Sequence, residues 1–117
     1  MMRINAPKSA SRGGVLKGLV EVGEPELMSA REVQVALCNS ITYGKGNGNH
    51  SSWEMKKCFP ADEARSLFEL PFEFHISGKA PITYRGKKIR SRWELRLKVD
   101  VAGGLDPEVR SEVIVLR

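Results

Sequence analysis

The chain is poor in cysteine, with only Cys38 and Cys58 among its 117 residues. Two cysteines make no disulfide framework, so a small disulfide-stapled secreted fold is excluded. In a reducing cytosol both are expected as free thiols; a cross-strand disulfide is the alternative if they fall on neighbouring strands of a hyperthermophile's protein. No long apolar run is present, which excludes a transmembrane helix. The start, Met1-Met2-Arg3-Ile4-Asn5-Ala6-Pro7, lacks the apolar stretch of a signal peptide, so a cytoplasmic location is expected. There is no internal repeat, no low-complexity tract and no long helical pattern. Histidine is as scarce as cysteine, with His50 and His75 alone. A structural zinc site needs paired ligand spacing, and these four side chains are scattered singly. No metal or other cofactor is expected.

What the chain does have is one long alternation. Ile89, Ser91, Trp93, Leu95, Leu97, Val99 and Val101 fall on one parity; Arg90, Arg92, Glu94, Arg96, Lys98 and Asp100 fall on the other. A period of two predicts a β-strand with one buried and one wet face. A second alternation runs from Leu67 to Ile76, with Phe68, Leu70, Phe72, Phe74 and Ile76 on one side. Pro71 has no N–H for a ladder, so this strand belongs on an edge or bends there.

Shorter strands are expected over Met2–Ala6, Val15–Val22, Arg31–Tyr43, Ser51–Phe59 and Glu108–Leu116. In the third, Val33, Val35 and Leu37 point inward, with Glu32, Gln34 and Asn39 outward or on turns. Gly18 inside a strand marks a bulge or a close backbone approach. Pro7–Gly14 reads as a loop, and Pro25–Met28 as one helical turn. Gly44 to Asn49 reads as an exposed hairpin loop. Pro60–Ser66 is helix-friendly but short, and reads as a loop with one turn at most. About seven or eight strands without a crossover helix predict a single all-β domain over residues 1–117, an immunoglobulin-like antiparallel sandwich. Trp93, Leu95, Leu97, Phe72, Phe74, Val35 and Leu37 should share its core.

The order of strands and breaks resembles the N-terminal sandwich domain of the arrestin-like family, Vps26-like proteins and small prokaryotic members related to sporulation control among them. Gly14-Val15-Leu16-Lys17-Gly18-Leu19-Val20 is similar to the family's early G-x-x-x-G-x-V strand. Leu70-Pro71-Phe72-Glu73-Phe74-His75-Ile76 followed by Ala80-Pro81-Ile82-Thr83-Tyr84-Arg85-Gly86 is similar to its F-P-F-x-F pattern and A-P-x-S-Y/F-x-G break. Ile89 to Leu97 is similar to its V-x-Y-x-V/L strand. The resemblance spans roughly Val15 to Leu116 and implies a non-catalytic adaptor or scaffold. A full arrestin has two such sandwiches and senses phosphate between them. This chain has room for one, so no phosphate-sensing residue carries over.

The residues offer no catalytic set. Ser51 and Ser52 flank His50, but neighbours in a strand point to opposite faces. Asp62-Glu63 and Asp106/Glu108 are explained as solvated turn carboxylates. Gly44, Gly46 and Gly48 lack the Lys-Ser/Thr step and following helix of a phosphate loop.

The net charge of +5 invites an acidic partner. The candidate residues for binding one are Arg90, Arg92, Arg96 and Lys98, extended by Lys87 and Lys88. Glu94 and Asp100 interrupt this ribbon, and Glu108, Glu112 or Glu73 are placed to pair with it across strands. A solvated sheet face is the favoured account of it. The expected function is therefore interaction with another protein, by a sheet edge or face. A second copy pairing through a sheet edge is one form of this. The alternative is binding of nucleic acid or another anionic surface through Arg90–Lys98; sequence-specific nucleic-acid reading is not expected, since no exposed aromatics interleave the ribbon.

Overall fold

The computed structural model describes residues 1–43, 48–67 and 69–117, with side chains for all of these but 48–52. Phe68, most of the expected Gly44–Asn49 loop and the side chains of His50, Ser51 and Ser52 lie outside the described residues. Among the described residues, nine strands and two short helices follow one another: β1 Met2–Asn5, β2 Ser9–Ser11, β3 Val15–Val22, α1 Glu24–Leu27, β4 Ala30–Tyr43, β5 Gly48–Pro60, α2 Ala61–Leu67, β6 Glu69–His75, β7 Tyr84–Arg85, β8 Ile89–Val101 and β9 Glu108–Leu116.

They form two packed sheets. One has three strands in the order β1-β3-β6; the other has six, in the order β2-β9-β8-β4-β5 with β7 paired to β8. The expected all-β sandwich is observed. At about 3.3 Å per residue, the 14 residues of β4 have a length comparable to the molecule's longest dimension, 44 Å. Among the described residues, every strand pair is antiparallel except β2 with β9. That pair corrects the wholly antiparallel expectation. It also turns the middle of the expected Pro7–Gly14 loop into a three-residue edge strand.

The long alternation reads out as burial. Trp93, Leu95, Leu97 and Val99 are fully buried between the sheets, and Ser91 lies beside them. Opposite them sit Val33, Val35 and Leu37 of β4 and Leu70, Phe72 and Phe74 of β6, so the expected residues do share one core. Leu16, Val20 and Val22 add the β3 face. Pro71 is on β6, an edge strand, as its missing N–H requires. Gly18 marks a close approach rather than a bulge. The β3–β6 register runs through it without a slip, and a Cβ there would lie 2.6 Å from Phe72 Cζ and 2.7 Å from the Asn5 carbonyl oxygen.

Two local expectations are corrected. Asn39 is buried, not outward. It shares the inward parity of Val33, Val35 and Leu37, and the strand's pleat outweighs its polarity. Its Nδ2 donates to Ser91 Oγ at 2.9 Å and to the Arg92 carbonyl at 3.1 Å. Residues 61–67 form a helix of seven residues, longer than the single turn expected. Tertiary contacts hold it: Ala61 and Ala64 enter the core, and Arg65 donates to the carbonyls of Leu27 and Ala30 at 3.2 and 3.3 Å.

Candidate functional site: the charged outer face of the long strands

The outward parity of β8 places Arg90, Arg92, Glu94, Arg96, Lys98 and Asp100 on the outer face of the six-stranded sheet. The neighbouring strands complete rows across that face. Glu54, Cys38, Glu94 and Glu112 form one row; Lys56, Ala36, Arg96 and Arg110 form the next. Like charges therefore sit directly opposite each other on β8 and β9, an unfavourable arrangement taken alone. The relief comes along the strands and diagonally. Arg96 Nε donates to Glu94 Oε1 at 2.7 Å, and Arg110 reaches the same oxygen at 3.4 Å. Arg110 Nε also donates to Glu108 at 2.6 Å. The bond to Glu94 raises the pKa of the Arg96 guanidinium above its already high value.

The four candidate cations thus lie on one face but do not act as one ribbon. Arg96 is held by Glu94, and Lys98 lies 3.5 Å from Asp106. Asp106 also accepts the Val101 N–H at 3.0 Å. That bond, with Lys98 beside it, holds its carboxyl below the ordinary range. Arg92 is only 3.8 Å from Glu112, which Arg85 contacts at 3.0 Å. Arg90 donates weakly to the Gly86 carbonyl at 3.5 Å and has no ion pair among the described residues. Of the expected cross-strand partners, Glu112 pairs with the ribbon, Glu108 goes to Arg110, and Glu73 lies on the other sheet with Lys17 and His75. Positive charge is neutralised at the Arg96–Lys98 end and left in excess at the Arg90 end. Arg85 and Arg110, which the β8 pattern could not reveal, complete the charged face.

A trough of about 160 Å³ runs between these walls, floored by Ala36 and Cys38 and bounded by Glu54, Lys56, Arg96 and Lys98. Its floor is closed to solvent because the long charged side chains fold over small ones. Burial pushes the Cys38 thiol up, away from the reactive thiolate. Cys58 lies on the adjacent strand, but opposite Gln34 rather than Cys38, and both thiols are free. Among the described residues, no three His, Cys, Asp or Glu side chains gather into a metal-binding set. No helix of the described residues is long and apolar enough to cross a membrane.

A second concavity opens at the side of the sandwich. Three strands face the longer sheet, so the inward side chains of β5 are only partly roofed: Trp53 and Met55 are half-buried and Lys57 is exposed. A groove of about 450 Å³ lies here, lined by Lys17, Gly18, Lys57, Pro71, Phe72 and Glu73. β5 and β6 are both edge strands of their sheets. No signal in the sequence announced this groove, because it depends on which strands lie at the edges.

No protein-family model matches the chain, and no curated protein matches it in sequence. Among solved structures it is similar to Spo0M, a sporulation control protein from Bacillus subtilis, at 19% identity and a TM-score of 0.59. That match covers 99% of this chain and 49% of Spo0M, so the chain spans about half the length of that structure. A superoxide reductase (neelaredoxin) from Ignicoccus hospitalis aligns over 98% of this chain and 80% of its own, but at 13% identity and a TM-score of 0.46. That likeness is too loose to bear on fold or chemistry. At that identity the likeness to Spo0M is one of fold: a β-sandwich of two packed sheets.

Proposed function

We propose that this chain is a cytoplasmic, non-catalytic protein-interaction module that receives an extended segment of a partner along the free edge of β5. The observation that carries this is the pairing of a 13-residue edge strand with an open groove beside it. An edge strand presents a row of unpaired N–H and C=O groups, and main-chain pairing there supplies affinity while adjacent pockets supply specificity. Alternate side chains of an added strand would reach the groove, where Pro71 and Phe72 offer apolar contact and Lys17, Lys57 and Glu73 select charge. The two edge strands beside the groove are not equivalent. Pro71 blunts β6, whereas the only proline of β5 is its last residue, Pro60.

A peptide-display selection against the whole chain tests this. Selected peptides should slow amide exchange along β5 and lose affinity when Lys57→Glu reverses the groove's charge. Selected peptides that protect only the opposite end of the sheet order, at β2 and β9, would sink the proposal.

A further inference from the structure

We infer that the end of the molecule formed by β7, the start of β8 and the end of β4 is a docking surface for an anionic lipid bilayer. The sequence from Lys79 to Arg92 holds six cations (Lys79, Arg85, Lys87, Lys88, Arg90 and Arg92) and no acidic residue. The fold gathers the last five onto β7, β8 and the turn between them. Glu112 is their only carboxylate contact among the described residues, shared by Arg85 and Arg92. Lys87, Lys88 and Arg90 are exposed and have no ion pair among the described residues. This contrasts with Arg96 and Lys98 further along the same strand, each beside a carboxylate: Glu94, which Arg110 also reaches, and Asp106.

The other face of the same end is apolar. Tyr43 lies directly opposite Ile89, and Tyr84 opposite Ser91, two residues further along. All three are on the inward-facing side, yet Tyr43 is 47%, Ile89 45% and Tyr84 56% exposed. The cause is length. β4 and β8 have 14 and 13 residues, and no strand of the three-stranded sheet exceeds 8. The long strands run past the end of the three-stranded sheet, and Tyr43, Ile89 and Tyr84 on their inner face are left about half exposed.

An aliphatic side chain between two tyrosines, with arginines behind and two lysines at the turn, matches the chemistry of an anionic membrane surface. Rings with polar tips and an aliphatic chain enter the headgroup layer while the cations meet lipid phosphates. Single-stranded nucleic acid asks for a cationic groove that tracks successive phosphates and for aromatic faces on which successive bases stack. Here the aromatic pair is split by Ile89 and the patch is confined to the end of β4, the start of β8 and β7. This surface lies apart from the β5–β6 groove, so it stands or falls independently of the proposed partner site.

The test is flotation of the full chain with phosphatidylcholine vesicles, with and without about 30% phosphatidylserine, at roughly 0.15 M salt. Binding is expected only with phosphatidylserine, and should weaken as salt rises. Lys87→Glu with Lys88→Glu should weaken it roughly tenfold or more. Lys56→Glu with Lys98→Glu removes the same net charge from the outer-face trough. Lys98 is eight residues from Arg90, about 26 Å along the strand and beyond a Debye length, so this pair should have little effect. Tyr84→Ser with Ile89→Ser should also weaken binding while leaving its salt dependence in place. Far-UV circular dichroism confirms folding, and Lys87→Ala with Lys88→Ala decides the matter if the reversed variant unfolds. Equal binding to phosphatidylcholine alone, equal loss in the trough variant, or no vesicle binding beside tight binding of single-stranded RNA would each overturn the inference.

Discussion

Asn39 on β4 and Ser91 on β8 meet inside the apolar core, with the Asn39 amide donating to Ser91 Oγ at 2.9 Å. Both are shielded from water among Trp93, Leu37 and Leu95. A buried polar group without a partner costs more than a bond contributes, so this pair is sensitive to the loss of one member. Asn39→Ala should destabilise the fold by about 2–3 kcal/mol and Ser91→Ala by about 1 kcal/mol. Urea unfolding of the two variants checks the order. Equal midpoints for Asn39→Ala and the parent would mean that the pair contributes nothing.

Gly18 is required for space. An added Cβ would meet Phe72 Cζ at 2.6 Å, the Asn5 carbonyl oxygen at 2.7 Å and Ala6 Cβ at 2.8 Å. Two of these are backbone or a short side chain and cannot swing away. Gly18→Ala should cost about 1–3 kcal/mol by overpacking. Gly78→Ala meets nothing within 4 Å and serves as the control. The comparison is a pair of thermal melts, and a Gly18→Ala melt matching that of Gly78→Ala would contradict the crowding.

These two positions show what the sequence carries and what it conceals. The alternation from Ile89 to Val101 was enough to orient β8 and choose the core, because a strand's period of two leaves no freedom once one face is apolar. Pro71 limited its strand to an edge or a bend, and Gly18 its own to a bulge or a close approach, since each answers a local backbone constraint; the structure shows the edge and the close approach. Asn39's polarity points outward and its parity inward, and parity prevails. The helix at Ala61–Leu67 was underestimated because its length comes from packing Ala61 and Ala64, not from propensity. The division of the arginine ribbon was hidden because Glu112, Arg110 and Asp106 join it only through strand pairing.

Acid stability should depend on Asp106. Its carboxyl accepts the Val101 N–H and lies beside Lys98, so its folded-state pKa falls below the ordinary 3.8. A depressed carboxylate contributes stability that is fully present above the unfolded value and lost as pH falls through the folded one. Asp106→Asn should therefore flatten the decline in stability below about pH 4. Urea midpoints measured at several acid pH values give the comparison. A variant whose acid limb superimposes on the parent's would remove Asp106 from the account.

The two thiols should differ in reactivity. Cys58 is exposed on β5, while Cys38 is buried under Glu54, Lys56 and Arg96, and burial raises its pKa. Thiolate is the attacking species, so a water-soluble maleimide near neutral pH should label Cys58 first and Cys38 only as the chain opens. Peptide mapping after brief labelling identifies the site. Early modification of Cys38 would mean that the trough opens in the folded state.

The charged face should be unequal in its tolerance of reversal. Arg96 bonds at 2.7 Å to Glu94, whose side chain is only 19% exposed, and overlies the small residues of the trough. Arg96→Glu would take from Glu94 its 2.7 Å partner, leaving it the longer Arg110 contact at 3.4 Å, and set a second carboxylate beside it; Arg110, directly opposite position 96, offsets part of this. Arg92 lies 3.8 Å from Glu112, which retains Arg85 at 3.0 Å when Arg92 is changed. Like charges at adjacent positions of a sheet are unfavourable, whereas loose surface pairs contribute little. Arg96→Glu should thus lower stability by about 1–2 kcal/mol, and Arg92→Glu by no more than about 0.5 kcal/mol. If Glu94 is the cause, Glu94→Gln in the Arg96→Glu background should recover part of the loss. Equal urea midpoints for the two reversals, or no recovery, would show that the Glu94–Arg96 contact is as weakly coupled as its exposed neighbours.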